Sequence, residues 1–265
     1  MACSNLYIAS LNSGSNGNCY YVGNDREAVL IDAGISCRET EKRMSRLGLS
    51  MDKVKAIFIS HEHTDHIKGL STLSAKFNLP VYITPGTLKG CRFNLREDLI
   101  RTLFSRQNIQ IGDLNISSFL KLHDAAEPHS FLVSCGETKV GVFTDLGAVC
   151  EELTSHFRQC HAAFLETNYD EELLSRSAYP YFLKKRISGG MGHLSNKQAL
   201  DLFTAHKPSF MSHLLLSHLS KDNNCPELVT NLFKEHANGT EIIVASRYTE
   251  TEVYTIFEPI TVHSF

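Results

Sequence analysis

Hydrophobic positions in the first third of the chain fall in short β-prone runs. Tyr7 to Leu11, Cys19 to Val22 and Ala28 to Ile31 are separated by Gly, Asn and Asp, which predicts a meander. The period then changes. Ser36 followed by Glu39 is a capping-box pattern, Met44 and Leu47 share a helical face, and Gly48 can end the helix. Val54 to Ile59 reads as a buried strand that runs into His61. Ile67, Leu70, Leu73 and Phe77 fit an amphipathic helix stopping before Pro80, and Val81 to Thr84 is another strand. The more charged stretch 87–106 is expected to carry a surface helix. Strands follow at Leu114 to Phe119, Phe131 to Cys135 and Val140 to Phe143. Later, Ala162 to Leu165 and Leu214 to Leu216 are solidly apolar, as strands covered on both faces should be. Ser195 with Gln198 gives a second capping box before a helix to about His206, and Pro226 suits the first turn of another. Ile242 to Ala245 and Val253 to Ile256 read as a final strand pair. Such an α/β alternation with two sheets' worth of strands implies layered packing. No repeat, linker or low-complexity segment interrupts it, so residues 1–265 are read as one domain.

Composition narrows the partners. With 26 Lys and Arg against 29 Asp and Glu, the formal charge of -3 gives no general attraction to nucleic acid. Any polyanion must therefore be held by a local patch or by metals. No basic segment followed by a long apolar run opens the sequence, and no run approaches the roughly 18 apolar residues of a membrane span. The cysteines are scattered without a CxxC pair, which fits free thiols in a reducing cytoplasm, and no membrane partner is expected.

The chemistry concentrates at IFISHEHTDHIKG. On an extended turn, residues two apart can point the same way, so His61 and His63 can hold one ion. Asp65 and His66 follow at a helix start and can face a neighbouring ion. Imidazole with carboxylate suits Zn²⁺, and also Mn²⁺ or Fe²⁺.

HxHxDH after an apolar strand resembles the signature of the metallo-β-lactamase superfamily. That resemblance implies a four-layer αββα sandwich, with metals at one edge between two sheets. Further segments resemble the family's motifs in order. LIDAGIS (30–36) implies that Asp32 lies behind the ligands and holds one of them. KLHDAAEPHSF (121–131) implies His123 as a ligand, with His129 as its nearby rival. VFTDLG (142–147) implies that Asp145 bridges the ions, and LLLSHLSKDNN (214–224) implies His218, with His213 at the strand entry as a rival. One ion then takes His61, His63 and His123, the other takes Asp65, His66 and His218, and Asp145 touches both. Two divalent ions, zinc foremost, would hold a bridging hydroxide as nucleophile. His156, His161, His206, His236 and His263 have no matching context and read as surface or core histidines.

The family spans several chemistries, so fold alone does not fix the reaction. An aspartate at 145, where well-known class B lactamases place a cysteine, argues against that activity. The short stretch beyond His218 leaves no room for the helical tail of glyoxalase II, and the interval from Asp145 to His218 cannot hold a β-CASP insertion. SLNSGSNGNCYYV, HDAAEP, LETNYD, GHLSN and LSHLSKDNN are similar to the compact YycJ/WalJ-like branch. This implies a phosphodiesterase acting as an exonuclease, with DNA favoured over RNA. The alternative is hydrolysis of a small phosphodiester, thioester or lactone. Oligomeric state is left open.

Around the metals, SGSNGN (13–18) is either a plain hairpin turn or a loop aiming N–H groups at an anion, with Ser13, Ser15, Asn16 and Asn18 as candidate contacts. His193 precedes a helix start capped by Ser195, and Glu166 could orient it as proton donor to the leaving oxygen. Asp65, His193 and Glu166 are thus the candidate catalytic groups. Lys221, with Lys184, Lys185, Arg186 and Lys197, is either a phosphate contact or part of a solvated face. Tyr179 and Tyr181 either stack on a base or pack.

Overall fold

The computed structural model describes residues 5–257; Cys3 and His263 lie outside the described residues. β1 (Leu6–Asn12), β2 (Cys19–Gly23) and β3 (Ala28–Ile31) form the antiparallel meander, and β4 (Val54–Phe58), β5 (Val81–Ile83) and β6 (Ile100–Thr102) extend it in parallel. The second sheet repeats this plan. β7 (Asn108–Ile111), β8 (Leu114–Leu120), β9 (His129–Cys135) and β10 (Thr138–Phe143) are antiparallel, and β11 (Ala162–Glu166), β12 (His213–Ser217) and β13 (Glu241–Val244) add in parallel. β14 (Tyr254–Ile256) returns to pair with β1, giving each sheet 7 strands.

The sheets face each other across one apolar layer. Tyr20 and Phe58 of the first sheet meet Phe164 and Phe131 of the second, with ring centroids 4.9 and 5.8 Å apart. On the outer face of the first sheet, Met44 of α1 (Cys37–Arg46) packs beside Leu70 and Leu73 of α3 (Leu70–Phe77). On the outer face of the second, α5 (Glu151–Phe157), α8 (Asn196–His206) and α9 (Pro226–Lys234) contribute Phe157, Phe203 and Phe233. Burying each ring is worth about 1.5–3 kcal/mol, so both faces of each sheet are held by the same hydrophobic force. The result is the αββα sandwich that the sequence implies.

Three local expectations are corrected. The stretch 87–106 is not one helix: α4 (Pro85–Gly90) ends there, a turn follows, and Ile100 to Thr102 form β6. The strands near 242 and 254 do not pair, because β13 lies in one sheet and β14 in the other. The helix predicted from Ile67 to Phe77 is broken into α2 (Thr64–Ile67) and α3. The break is at Gly69, where a Cβ would come 1.9 Å from the Ile35 carbonyl oxygen. That close approach lets the loop after β3 dock beneath the histidine turn. Ala33 N donates to His66 O, Gly69 N to Ala33 O, both at 2.8 Å, and Asn18 N to Asp65 O at 2.7 Å. Gly34 is tighter still, since a Cβ there would overlap the Asp65 carbonyl at 1.6 Å.

Cys19, Cys37, Cys91, Cys150, Cys160 and Cys225 carry free thiols. Among the described residues no helix is long and apolar enough to cross a membrane.

Candidate metal centre

Parallel strands deliver their carboxyl ends to one edge, and the polar side chains gather there. Asp32 follows β3, His61 lies three residues beyond β4, Asp145 two beyond β10, Glu166 closes β11 and His218 follows β12. Asp32, Asp145 and His218 all have left-handed backbones, with φ of 63, 55 and 58°. Non-glycine residues adopt that region at a cost of about 1–2 kcal/mol, and such strain persists where the surroundings over-determine it. Here it swings three side chains from the strand ends over the sheet edge.

Three of the imidazoles are held through Nδ1 by a carbonyl or carboxylate and present Nε2. His123 Nδ1 donates to the Gly192 carbonyl at 3.0 Å. His66 Nδ1 donates to Asp32 Oδ2 at 2.7 Å, and Asp32 is itself fixed by Ser60 N and Ser60 Oγ, both at 2.8 Å. His218 Nδ1 faces Glu166 Oε1 at 3.2 Å. These carbonyl and carboxylate partners fix Nδ1 as the nitrogen that keeps its proton, so Nε2 is the atom available to a cation.

The offered atoms converge. His61 Nε2 is 3.1 Å from His63 Nδ1, which is 3.4 Å from His123 Nε2. His66 Nε2 is 3.1 Å from Asp145 Oδ2, and His218 Nε2 is 3.5 Å from both Asp145 Oδ1 and Asp65 Oδ2. Ligand atoms of His61, His63 and His123 lie within 4.8 Å of one another, as do those of Asp65, His66 and His218.

These residues fit a cation. Burial holds the His61 imidazole well below its ordinary range and lowers that of His123 to about 4, so lone pairs face lone pairs. Asp145 Oδ2 is buried and makes no hydrogen bond. Unpaired lone pairs and an orphaned carboxylate oxygen in a buried cluster are costly unless a positive centre joins them. The His/Asp donor set suits a divalent ion of the Zn²⁺, Mn²⁺ or Fe²⁺ kind.

Electrostatics of the metal-free cluster give a first prediction. Burial would lower the His66 pKa, but Asp145, Asp32 and Asp65 outweigh it and raise it to about 10. In metal-free protein His66 therefore contributes stability fully below 6.5, and loses it as pH rises through about 10. To become a ligand it must release its Nε2 proton. Adding Zn²⁺ to metal-stripped protein at about pH 8 is expected to liberate about one proton or more per chain. Titration calorimetry in buffers of different ionisation enthalpy measures this, and a buffer-independent heat would contradict it.

Other expected contacts are placed differently. Ser13 is buried; its Oγ accepts from His218 N at 2.7 Å and meets Tyr20 OH at 2.8 Å, so it braces a candidate ligand and is closed to substrate. Ser195 is likewise buried, capping α8 through Gln198 N and donating to Glu171 Oε1 at 3.0 Å. Both glycine N–H groups of the 13–18 loop bond within it: Gly14 N donates to Asn18 Oδ1 and Gly17 N to Gly14 O, both at 2.9 Å. Asn18 is buried behind Asp65, with Nδ2 3.2 Å from Asp65 Oδ2, and Asn16 donates to Arg247 O. Ser15 does line the cleft, whereas Lys221 is not among its lining residues. His129 lies inside β9, its Nδ1 donating to Glu127 O at 2.9 Å, and belongs to none of the metal-capable groups among the described residues.

His193 and Glu166 do meet, with His193 Nδ1 2.7 Å from Glu166 Oε1. Burial would raise the Glu166 pKa, but His193 and His218 hold it at about 2. Two supporting residues were not foreseen. Asn168 donates to His218 O at 2.8 Å, and buried Lys121 donates to Thr144 O at 2.7 Å, beside Asp145. Asn168 lies within LETNYD, whose polar residues directly after an apolar strand are the signal for it. Lys121 lies two residues before His123, yet nothing in its own position announces burial. The cleft above the cluster encloses about 940 Å³ and is walled by His63, Asp65, Asp145, His193 and His218, with Lys68, Arg92 and Arg186 among the outer groups.

This edge-of-sandwich cluster is the candidate centre of a metal-dependent hydrolase. Residues 27–218 match the family described as "Beta-lactamase superfamily domain", and the chain belongs to that superfamily. It is 36% identical over 231 residues to the exodeoxyribonuclease YycJ of Bacillus anthracis, covering 84% of this chain and 86% of that one. It is 29% identical over 223 residues to the exodeoxyribonuclease WalJ of Streptococcus pneumoniae, covering 82% and 83%. Among solved structures, the metallo-β-lactamase fold protein YhfI of Bacillus subtilis superposes with a TM-score of 0.74 at 14% identity, covering 95% and 99%, a likeness of fold.

Proposed function

We propose that this protein is a binuclear metal-dependent phosphodiesterase that degrades DNA from an end. The observation that carries the reading is the convergence of seven His and Asp side chains on the floor of an open cleft whose walls bear cations. The likeness to proteins named exodeoxyribonucleases over most of both chains supports it.

His61, His63 and His123 would hold one cation, and Asp65, His66 and His218 a second, with Asp145 touching both. When bound, such a pair supplies an acidified water and neutralises phosphate charge. The remaining work falls to the chain. Asp32 and Glu166 hold His66 and His218 by their Nδ1 atoms, so that Nε2 stays available. His193 lines the cleft with Nδ1 held by Glu166, which orients the ring and leaves its Nε2 to protonate the departing alkoxide.

The test loads purified protein with Mn²⁺ or Zn²⁺ and offers end-labelled single- and double-stranded DNA and RNA. Bis(p-nitrophenyl) phosphate and a thioester run alongside. Stepwise shortening of DNA is expected; cleavage of the thioester alone would overturn the reading.

A further inference from the structure

The charged stretch after α4 does something more specific than cover the surface. Gly90 packs so closely on Glu62 that a Cβ would lie 2.6 Å from Glu62 Cγ, and this contact brings the following turn to the cleft. Arg92 and Phe93 thereby line it, together with Lys68, the residue after α2. Phe93 is anchored on the outer apolar layer of the first sheet, while Lys68 and Arg92 are exposed.

The other charges of the cleft are engaged. Arg186 Nε donates to Asp124 Oδ2 at 2.6 Å, Glu62 Oε1 accepts from Ala126 N at 2.8 Å, and Asp65 and Asp145 face the imidazoles. Lys68 and Arg92 have no ion-pair partner among the described residues. Two unpaired cations beside a centre that itself handles the scissile phosphate answer a charge elsewhere on the substrate. In a nucleic acid that charge is the next phosphate along the strand. Arginine suits it through its planar fork and lysine as a point charge.

We propose that Lys68 and Arg92 clamp a second phosphodiester adjacent to the scissile one, with Phe93 beneath the neighbouring sugar or base. This rests on the nuclease reading and makes the substrate an oligonucleotide instead of an isolated phosphodiester. The clamp sets specificity for a polymer, because a single phosphodiester has nothing to place there.

The test uses metal-loaded protein, the double variant Lys68→Ala/Arg92→Ala, and Arg92→Lys. Arg26→Ala, on the β2–β3 hairpin at the opposite end of the sheet, controls for loss of one exposed charge. Binding is read by anisotropy of a labelled, phosphorothioate-linked oligothymidylate across a salt series, and turnover by kcat/KM on the phosphodiester oligomer and on bis(p-nitrophenyl) phosphate. The double variant is expected to bind about tenfold more weakly and to lower the salt slope by about 1.4, the value for two single-strand phosphate contacts at roughly 0.7 each. Its kcat/KM is expected to fall about tenfold further on the oligomer than on the small substrate, with Arg92→Lys recovering part of the loss. Equal losses on both substrates, or a slope matching that of Arg26→Ala, would overturn the clamp alone. Wild-type protein that neither binds nor shortens oligonucleotides would remove the nuclease reading and the clamp with it.

Discussion

Asp145→Asn is expected to lower turnover by about a thousandfold, roughly 4 kcal/mol of transition-state stabilisation, and to reduce the bound metal to about one ion or fewer per chain. Asp145 reaches across the cluster. Its Oδ2 is 3.1 Å from His66 Nε2, and its Oδ1 is 3.5 Å from His218 Nε2 and 3.8 Å from His123 Nε2. The first two imidazoles belong to one candidate group and the third to the other, so this carboxylate joins them. Asparagine keeps the size and removes the charge that the proposed pair of dications would require between them. Lys121 still braces Thr144 O, so the turn keeps its course and the loss is one of chemistry. Metal content by mass spectrometry and turnover on bis(p-nitrophenyl) phosphate check this together. Two ions with undiminished turnover would take Asp145 out of the centre.

What the sequence could reveal depended on how local each signal is. His61, His63, Asp65 and His66 sit within one turn, so their spacing alone proposes a metal site. His123, Asp145 and His218 are single residues at separate strand ends, and only their likeness to family motifs assembled them with the cluster. The Ser195–Gln198 capping box is realised in full because both of its bonds are local. The 87–106 stretch failed for the opposite reason: Arg96 pairs with Asp98 two residues away and Arg101 reaches the Asp98 carbonyl, contacts that a helical reading of the charges cannot foresee. The pairing of the last strands failed because a strand's own pattern does not say which sheet receives it. The SGSNGN loop has the composition of an anion cradle, yet Ser13 and Asn18 brace His218 and Asp65 and Asn16 donates to Arg247 O, which leaves Ser15 to face the cleft. Composition cannot separate a loop that offers hydrogen bonds from one that has already used them.

Glu166→Gln is expected to cost more than His193→Ala, although His193 is the proposed proton donor. Glu166 is fully buried and serves four donors. Its Oε1 is 2.7 Å from His193 Nδ1 and 3.2 Å from His218 Nδ1, while Oε2 accepts from Leu146 N at 2.6 Å and Leu194 N at 3.2 Å. An amide there has no satisfactory orientation. With its NH₂ toward the histidines it drives the His218 proton from Nδ1 to Nε2 and removes a ligand lone pair; with its NH₂ toward the backbone it sets donor against donor. Metal affinity should fall about 10–100-fold, as when other partners of ligating histidines are lost, and turnover by about 100–1,000-fold. His193→Ala keeps His218 on its carboxylate, so metal content should hold while turnover falls about 100-fold on an oligonucleotide. Because the two residues act as one unit, the double variant should be little worse than Glu166→Gln alone. The leaving group separates the roles further. Nitrophenolate departs without a proton, so His193→Ala should be impaired far less on bis(p-nitrophenyl) phosphate than on an oligonucleotide, at every salt concentration. An equal deficit on both would mean that His193 positions the substrate and donates no proton.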